Sequence, residues 1–207
     1  MYSVKYLIGI DEVGRGALAG PVVVAAFAVP VGRKFNFRVK DSKALTPIQR
    51  EGLLKWIKKT GFVYSIARVC PNIIDKINIS KAANLAAYRA LKRLIKKLDI
   101  DNSHISVYLD GGLYLKNKDY QVSEIKSGLK VKTVIRGDQK FNSVKLASVV
   151  AKVNRDHYMV KLHDSCPGYE FNIHKGYGTK AHIRAIRKYG LSDMHRLTFV
   201  KKYHKMK

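Results

Sequence analysis

Apolar and polar positions follow two periods along this chain, and the switches between them outline an α/β protein. Residues 5–10 and 22–29 are short, apolar and β-branched. They predict two strands, joined by a loop that contains Gly14, Gly16 and Gly20. Thr46 can cap a helix running to about residue 59, with Pro47 at its first position. Residues 62–69 predict a third strand. A longer helix opens at Ser80 and runs to about Leu98. Its apolar side is marked by Ala83, Ala87, Leu91, Leu94, Ile95 and Leu98 at three- and four-residue steps. Residues 105–109 predict a fourth strand, stopped by Asp110-Gly111-Gly112, and residues 131–135 a fifth. Asn142 or Ser143 starts another helix, with Leu146, Val149, Val150, Val153 and Val160 on one face. The expected order is three strands, helix, strand, helix, strand, helix, with one further helix between the second and third strands. That order predicts a five-stranded mixed sheet flanked by helices. There is no internal repeat and no linker rich in Gly, Ser or Pro. After Pro167-Gly168 the texture turns basic and helical. Residues 174–207 hold ten Lys and Arg, one acid (Asp193) and four of the seven histidines. The expected organisation is therefore one α/β domain over residues 1–165 and a basic helical extension over 166–207.

Composition sharpens this. With 207 residues and 46% hydrophobic content the chain can bury a core, which excludes a disordered basic tail. Two cysteines, Cys70 and Cys166, exclude a disulfide scaffold and cannot by themselves close a zinc site. The longest apolar run, residues 21–30, is too short to span a bilayer, and no secretory signal pattern opens the chain. A cytoplasmic protein without a membrane contact is expected, its cysteines reduced and structural. The chain carries 40 Lys and Arg against 15 Asp and Glu, a net charge of +25. Such an excess points to a polyanionic partner, most directly nucleic acid. A solubility device or a ribosome-like packing protein is the alternative.

Where acids are scarce, their placement is informative. Asp11 and Glu12 follow the first predicted strand, Asp110 ends the fourth, and Asp138 lies shortly after the fifth. Ligands of α/β sheets bind at the carboxyl ends of strands. If those strands are neighbours, these carboxylates converge and repel one another, which divalent cations would relieve. Oxygen donors without thiolates favour Mg²⁺ or Mn²⁺, and two such ions suit phosphodiester hydrolysis. Taken singly, each Asp can also be an ordinary cap or turn residue.

The sequence Ile8-Gly9-Ile10-Asp11-Glu12-Val13-Gly14-Arg15-Gly16, continued by Gly20-Pro21, resembles the N-terminal signature of type 2 ribonuclease H, ribonuclease HII. Asp41-Ser42-Lys43, Tyr108-Leu109-Asp110-Gly111 and Gly137-Asp138 resemble the next motifs of that family. So does Ala147-Ser148 through Asp156. Pro167-Gly168-Tyr169, His174-Lys175-Gly176-Tyr177-Gly178-Thr179 and Met194-His195-Arg196 resemble its C-terminal part. The likeness runs in order from residue 8 to residue 199. It implies a ribonuclease H-like fold with a C-terminal helical part. It implies cleavage of the RNA strand of RNA–DNA hybrids, and nicking 5′ to a ribonucleotide embedded in duplex DNA, leaving a 3′-hydroxyl. By motif position, Asp11, Glu12, Asp110 and Asp138 would bind the metals. Gly14-Arg15-Gly16 would read the ribose 2′-hydroxyl, because glycines admit a close backbone approach and that hydroxyl distinguishes RNA from DNA. Arg15 can add a phosphate contact. Tyr177 resembles the tyrosine that stacks on the following sugar. Lys43, Lys175 and Lys180 can contact phosphates. Asp156 reads as an ion-pair or helix-surface acid outside the metal set. His174, His182 and His195 are scattered in sequence and read as substrate-side or structural.

Two other readings stay open at this level. One is another nuclease of the same superfamily, such as a junction resolvase or a type 3 enzyme; Gly14-Arg15-Gly16 with Tyr177 argues against it, and Asp11 comes too early for the type 3 enzyme's extra domain. The other is a binding protein with a degenerate site, which the four intact acids disfavour. Residues after Phe199 carry no sliding-clamp motif, so no clamp partner is expected. Nothing demands a dimer, so a monomer is expected.

Overall fold

A computed structural model of the chain describes residues 5–40, 42–115 and 129–204. The strands are β1 (Tyr6–Val13), β2 (Val22–Pro30), β3 (Tyr64–Val69), β4 (Ile105–Asp110) and β5 (Lys130–Val134). They form one mixed sheet in the order β3-β2-β1-β4-β5. β2 pairs antiparallel with β1 and β3, whereas β4 pairs parallel with β1 and β5. All five expected strands are there, with shifted ends. The largest shift is in β1, which does not stop at residue 10 but runs through Asp11 and Glu12 to Val13. The antiparallel partner carries it, with Glu12 opposite Val24 and Val13 opposite Val23. The parallel pairing with β4 ends earlier, at Ile10 and Leu109. The two acids therefore sit on a strand segment bonded on one side only, facing the gap that opens between β1 and β4.

Helices cover both faces. Helix α1 (Pro47–Lys59) starts as expected: Thr46 accepts from the Gln49 N–H, and the Gln49 side chain accepts in return from the Thr46 N–H. The sequence pattern missed α2 (Pro71–Ile77), whose seven residues are too few to show a repeating apolar face. Helix α3 (Ile79–Leu98) begins before Ser80, because the Asn78 side chain accepts from the Lys81 N–H and is the actual cap. It lays Ala82, Ala83, Ala86, Ala87 and Ala90 on Ile8, Ile10, Val24 and Ala26. Helix α5 (Asn142–Ser165) covers the other face, packing Leu146, Val149, Val150 and Val153 on Ala25, Phe27 and Val29, with α1 alongside. Val160, expected on the same face, is 41% exposed. Past residue 153 the helix leaves the sheet and buries Arg155 and Met159 against the C-terminal part instead. The helix expected between the fourth and fifth strands would fall largely on residues 116–128, outside the described residues.

Gly9 lets α5 approach this closely. A Cβ there would lie 2.1 Å from the Ser143 carbonyl carbon and 2.2 Å from the Val144 nitrogen. Strand and helix thus touch backbone to backbone two residues before Asp11. The remaining helices are α4 (Gly137–Lys140), α6 (Phe171–His174), α7 (Lys180–Tyr189) and α8 (Leu197–His204). The C-terminal part is fastened to the 14–20 loop. Leu18 and Ala19 N–H groups donate to the Gly176 carbonyl, Gly20 to Met194, and Arg196 back to Leu18. Asp75 of α2 caps α8, accepting from the Leu197 and Thr198 N–H groups at 2.8 and 2.9 Å. Among the described residues no helix is long and apolar enough to cross a membrane. Cys70 and Cys166 are both free thiols. Cys70 is exposed rather than structural, whereas Cys166 packs beside Tyr169 and Phe171.

Candidate active site

Asp11 and Asp110 are the residues that follow the last parallel pair of β1 and β4, so they stand side by side where the two strands part. Side chains alternate along β1. Asp11 shares the side of Gly9, towards α5, near Ser148 of that helix, whose hydroxyl is hydrogen-bonded to Ser42 Oγ at 2.7 Å. Glu12 takes the side of Ile8 and Ile10, towards α3. Its Oε1 faces the Arg15 guanidinium at 3.4 Å. Arg15 also donates to the Gly112 carbonyl and to Ser80 Oγ of α3, each at 3.0 Å. Its guanidinium is thus engaged within the protein and fixes Glu12. Asp110 Oδ1 accepts the Gly137 N–H at 2.7 Å, in the first turn of α4. The next residue of α4, Asp138, is buried and paired with Lys43 Nζ at 3.1 Å. Lys43 stands on a 3₁₀ turn, Ser42–Ala44. One cleft of about 350 Å³ gathers Asp11, Glu12, Asp110, Gly14, Arg15, Gly16, Lys43 and Tyr177. Asp138 adjoins it through Lys43. Lys175 does not line it; its ammonium donates to the Asn172 carbonyl. Asp41 lies outside the described residues.

Asp11 and Glu12 are held where a carboxylate is costly as an anion. Burial pushes the Asp11 pKa well above the usual carboxylate range. Glu12 and Asp110 push it further, against the nearby Ser148 hydroxyl and the hydrogen bond from the Glu12 N–H. Burial also raises Glu12, while Arg15 lowers it and Asp110 raises it again. Glu12 Oε2 is buried with no hydrogen-bond partner. An orphaned carboxylate oxygen, a crowded set of buried and half-buried acids, and an ammonium resting on Asp138 fit a hard divalent cation. Among the described residues, no three His, Cys, Asp or Glu side chains already converge in ligating geometry.

The 14–20 loop is shaped by two arginines that the sequence reading had not singled out. Arg155 is fully buried and donates to the carbonyls of Pro21, Ala19 and Lys175 at 2.9–3.1 Å. Its guanidinium lies 5.3 Å from the centroid of the Tyr177 ring. Arg196, also fully buried, donates to the carbonyls of Gly20, Arg15 and Gly14 at 3.0, 2.8 and 2.7 Å. Gly14 has φ +86°, and a Cβ on it would fall 2.1 Å from Arg155 Nε. Gly16 faces open space. Asp156 is in the ion pair expected of it, with Lys152 at 2.8 Å. A charged residue among the lysines and acids of this helix reads as surface, so nothing in the sequence marks Arg155 as a buried donor.

His174, His182 and His195 are not scattered in space. The His174 and His182 rings stack with centroids 4.4 Å apart, and His182 Nε2 lies 3.1 Å from His195 Nε2. All three are buried, against Tyr169 and Phe171. They are structural, as one of the two expected readings had it. Burial and mutual repulsion push His182 down to about 4, and burial lowers the other two. A histidine whose folded pKa lies below its unfolded value near 6.5 favours the folded state fully above that value. Stability should therefore fall as pH drops from about 6.5 towards 4. His182 alone accounts for on the order of 3 kcal/mol of that loss. Denaturant midpoints measured across that range check this. A His182→Phe protein should show a shallower slope; an unchanged slope would rule His182 out as the source.

A family model described as ribonuclease HII matches residues 8–204. Ribonuclease HII of Caldicellulosiruptor bescii is 41% identical over 197 residues, covering 95% of this chain and 87% of the relative. Ribonuclease HII of Pelagibacter ubique is 41% identical over 197 residues, covering 94% and 96%. Among solved structures, the ribonuclease H2 of Pyrococcus horikoshii superposes with a TM-score of 0.69 at 26% identity, covering 97% of this chain and all of that one. The fold is ribonuclease H-like and the protein is a hydrolase: this chain belongs to the ribonuclease HII family, the type 2 ribonucleases H.

Proposed function

We propose that this ribonuclease H hydrolyses the RNA strand of RNA–DNA hybrids and nicks 5′ to ribonucleotides embedded in duplex DNA, leaving 3′-hydroxyl and 5′-phosphate ends. One observation carries the reading. Three carboxylates, buried Asp11 and half-buried Glu12 and Asp110, line a single cleft with the 14–16 loop and Tyr177. Asp11, Glu12, Asp110 and Asp138 would hold the cations. Two Mg²⁺ or Mn²⁺ ions would supply charge neutralisation and make water a nucleophile at neutral pH. The chain's own residues set the rest. The fold fixes Asp11 and Asp110 side by side, the Glu12 N–H holds Asp11, the Gly137 N–H orients Asp110, and Arg15 orients Glu12. Gly16 presents backbone to open space, where a ribose can approach. Arg155 holds Tyr177 at the cleft, where its ring can stack on a sugar. Lys43 and Lys175 are placed in the substrate-binding set, with residues 166–207 as the basic extension that grips the duplex beside the catalytic domain, residues 1–165.

The test is a DNA duplex with one ribonucleotide, incubated with Mg²⁺ or Mn²⁺, and its products mapped. The expected product is a single nick on the 5′ side of the ribonucleotide. Tyr177→Ala should lower that cleavage by about tenfold, the scale of a lost stacking contact. Binding without cleavage in either metal would overturn the reading.

A further inference from the structure

A second cavity lies beside the cleft and is used by nothing described so far. It has a volume of about 360 Å³, at the small end of ligand sites, and lies between the segment after β2 and helix α1. Its aromatic walls are Phe37 and Trp56, set edge to face with ring centroids 5.0 Å apart. Phe35 and Phe62 back them. Phe37 is 41% exposed, high for an aromatic side chain in a well-packed cluster. Leu53 and Gln49 complete the inner wall, and Arg38 and Lys40 stand exposed on the rim. No acidic residue lines it among the described residues. The partition from the cleft is thin. Ser42 and Lys43 of the 3₁₀ turn line the cleft while Leu45 lines the cavity, and on α1 Arg50 lines the cleft while Gln49 lines the cavity. Arg50 braces this partition by donating to the carbonyls of Ser42 and Leu45 at 3.0 and 2.5 Å.

Aromatic faces with cations at the rim and no acid form a stacking platform for a nucleobase and its phosphate. We infer that this cavity binds an unpaired nucleotide from a single-stranded extension of the nucleic acid lying in the adjacent cleft. The inference rests on the cleft's being the nucleic-acid site. Charge and continuity favour this occupant over an apolar protein segment, which would leave Arg38 and Lys40 without partners.

Trp56 is the only tryptophan of the chain, so its emission reports the site directly. Wild-type protein in a chelator is titrated with a blunt hybrid duplex, and with the same duplex carrying a 5′ or a 3′ single-stranded extension. One extension should quench Trp56 and tighten binding by about tenfold over the blunt duplex. Phe37→Ala, at an exposed side chain, should abolish that gain and leave blunt-duplex binding unchanged. Arg38→Gln with Lys40→Gln should weaken only the extended duplex. Equal affinity for blunt and extended duplexes with unmoved Trp56 emission would overturn the proposal. So would a gain that survives Phe37→Ala, or a Trp56 shift that follows protein concentration without nucleic acid. Cleavage of the blunt duplex in Mg²⁺ is scored separately: its failure bears on the catalytic reading, whereas the extension-dependent quench bears on the cavity.

Discussion

An Asp11→Asn protein is expected to lose cleavage and, in a chelator, to melt higher than the wild type. Asp11 is buried beside Glu12 and Asp110, and burial and both neighbours make its charge costly. Asn keeps the shape and an oxygen for the Glu12 N–H, which the Asp11 Oδ1 now accepts at 2.8 Å, and removes the charge. The gain should be about 1–2 kcal/mol, or about 2–8 °C in Tm for a chain of this size. The sign follows from linkage. A carboxyl whose folded pKa is raised favours the folded state below its unfolded pKa, and that contribution is lost as pH rises through the folded value. The advantage of Asn is therefore full above the raised folded pKa and disappears towards pH 4. Cleavage should fall by about 10²–10³ or more, since a charge aimed at the reacting centre is gone. Differential scanning calorimetry with chelator and with Mg²⁺ separates the two effects: Mg²⁺ should raise the wild-type Tm and leave the variant's nearly unmoved. A variant that melts lower than wild type in chelator would show that Asp11 is not the strained group inferred here.

The largest loss of stability is expected from Arg196→Ala. Removing this guanidinium leaves the carbonyls of Arg15 and Gly20 without their donor, leaves Gly14 only the long bond from the Ala17 N–H, and opens a cavity under the loop. Burial and the nearby Arg155 push Arg196 down to about 9, so it stays charged at neutral pH and its hydrogen bonds are charge-assisted. Breaking such a buried set costs about 3–5 kcal/mol, or about 6–20 °C in Tm. Arg196→Lys should recover part of this, because one ammonium cannot reach three carbonyls in the fork geometry of arginine. Well below the lowered Tm, the Ala protein should keep its fold by circular dichroism yet cleave the ribonucleotide junction slowly, since the 14–16 loop has lost its anchor. A Tm within about 2 °C of wild type would rule out the clamp.

The strands and the long helices were readable because their periodicity is local. Thr46-Pro47 stated its own capping, and the alanine stripe of α3 declared a face pressed on a sheet. Errors fall where a partner distant in sequence decides. β1 extends to Val13 because β2 continues beside it, which no property of residues 11–13 reveals. α2 is too short to show a period, and Asn78 outcompetes Ser80 as a cap by geometry alone. Val160 keeps the spacing of a core residue after the helix has left the core.

Residue type, order and spacing were enough to place four acids at or just past predicted strands, to set three glycines after the first two of them, and to show a family likeness running through the whole series. Those properties belong to the chain itself. Tertiary structure alone decided that Asp11 and Glu12 point to opposite sides of one strand, and that Arg15 is occupied with Glu12, Gly112 and Ser80. It also decided that three histidines form one buried stack and that Arg155 and Arg196 hold the loop from beneath. Each of these depends on which distant groups are brought within about 3 Å in a place without water. There a charge is worth several times what it is at the surface, and a sequence does not say where water is excluded.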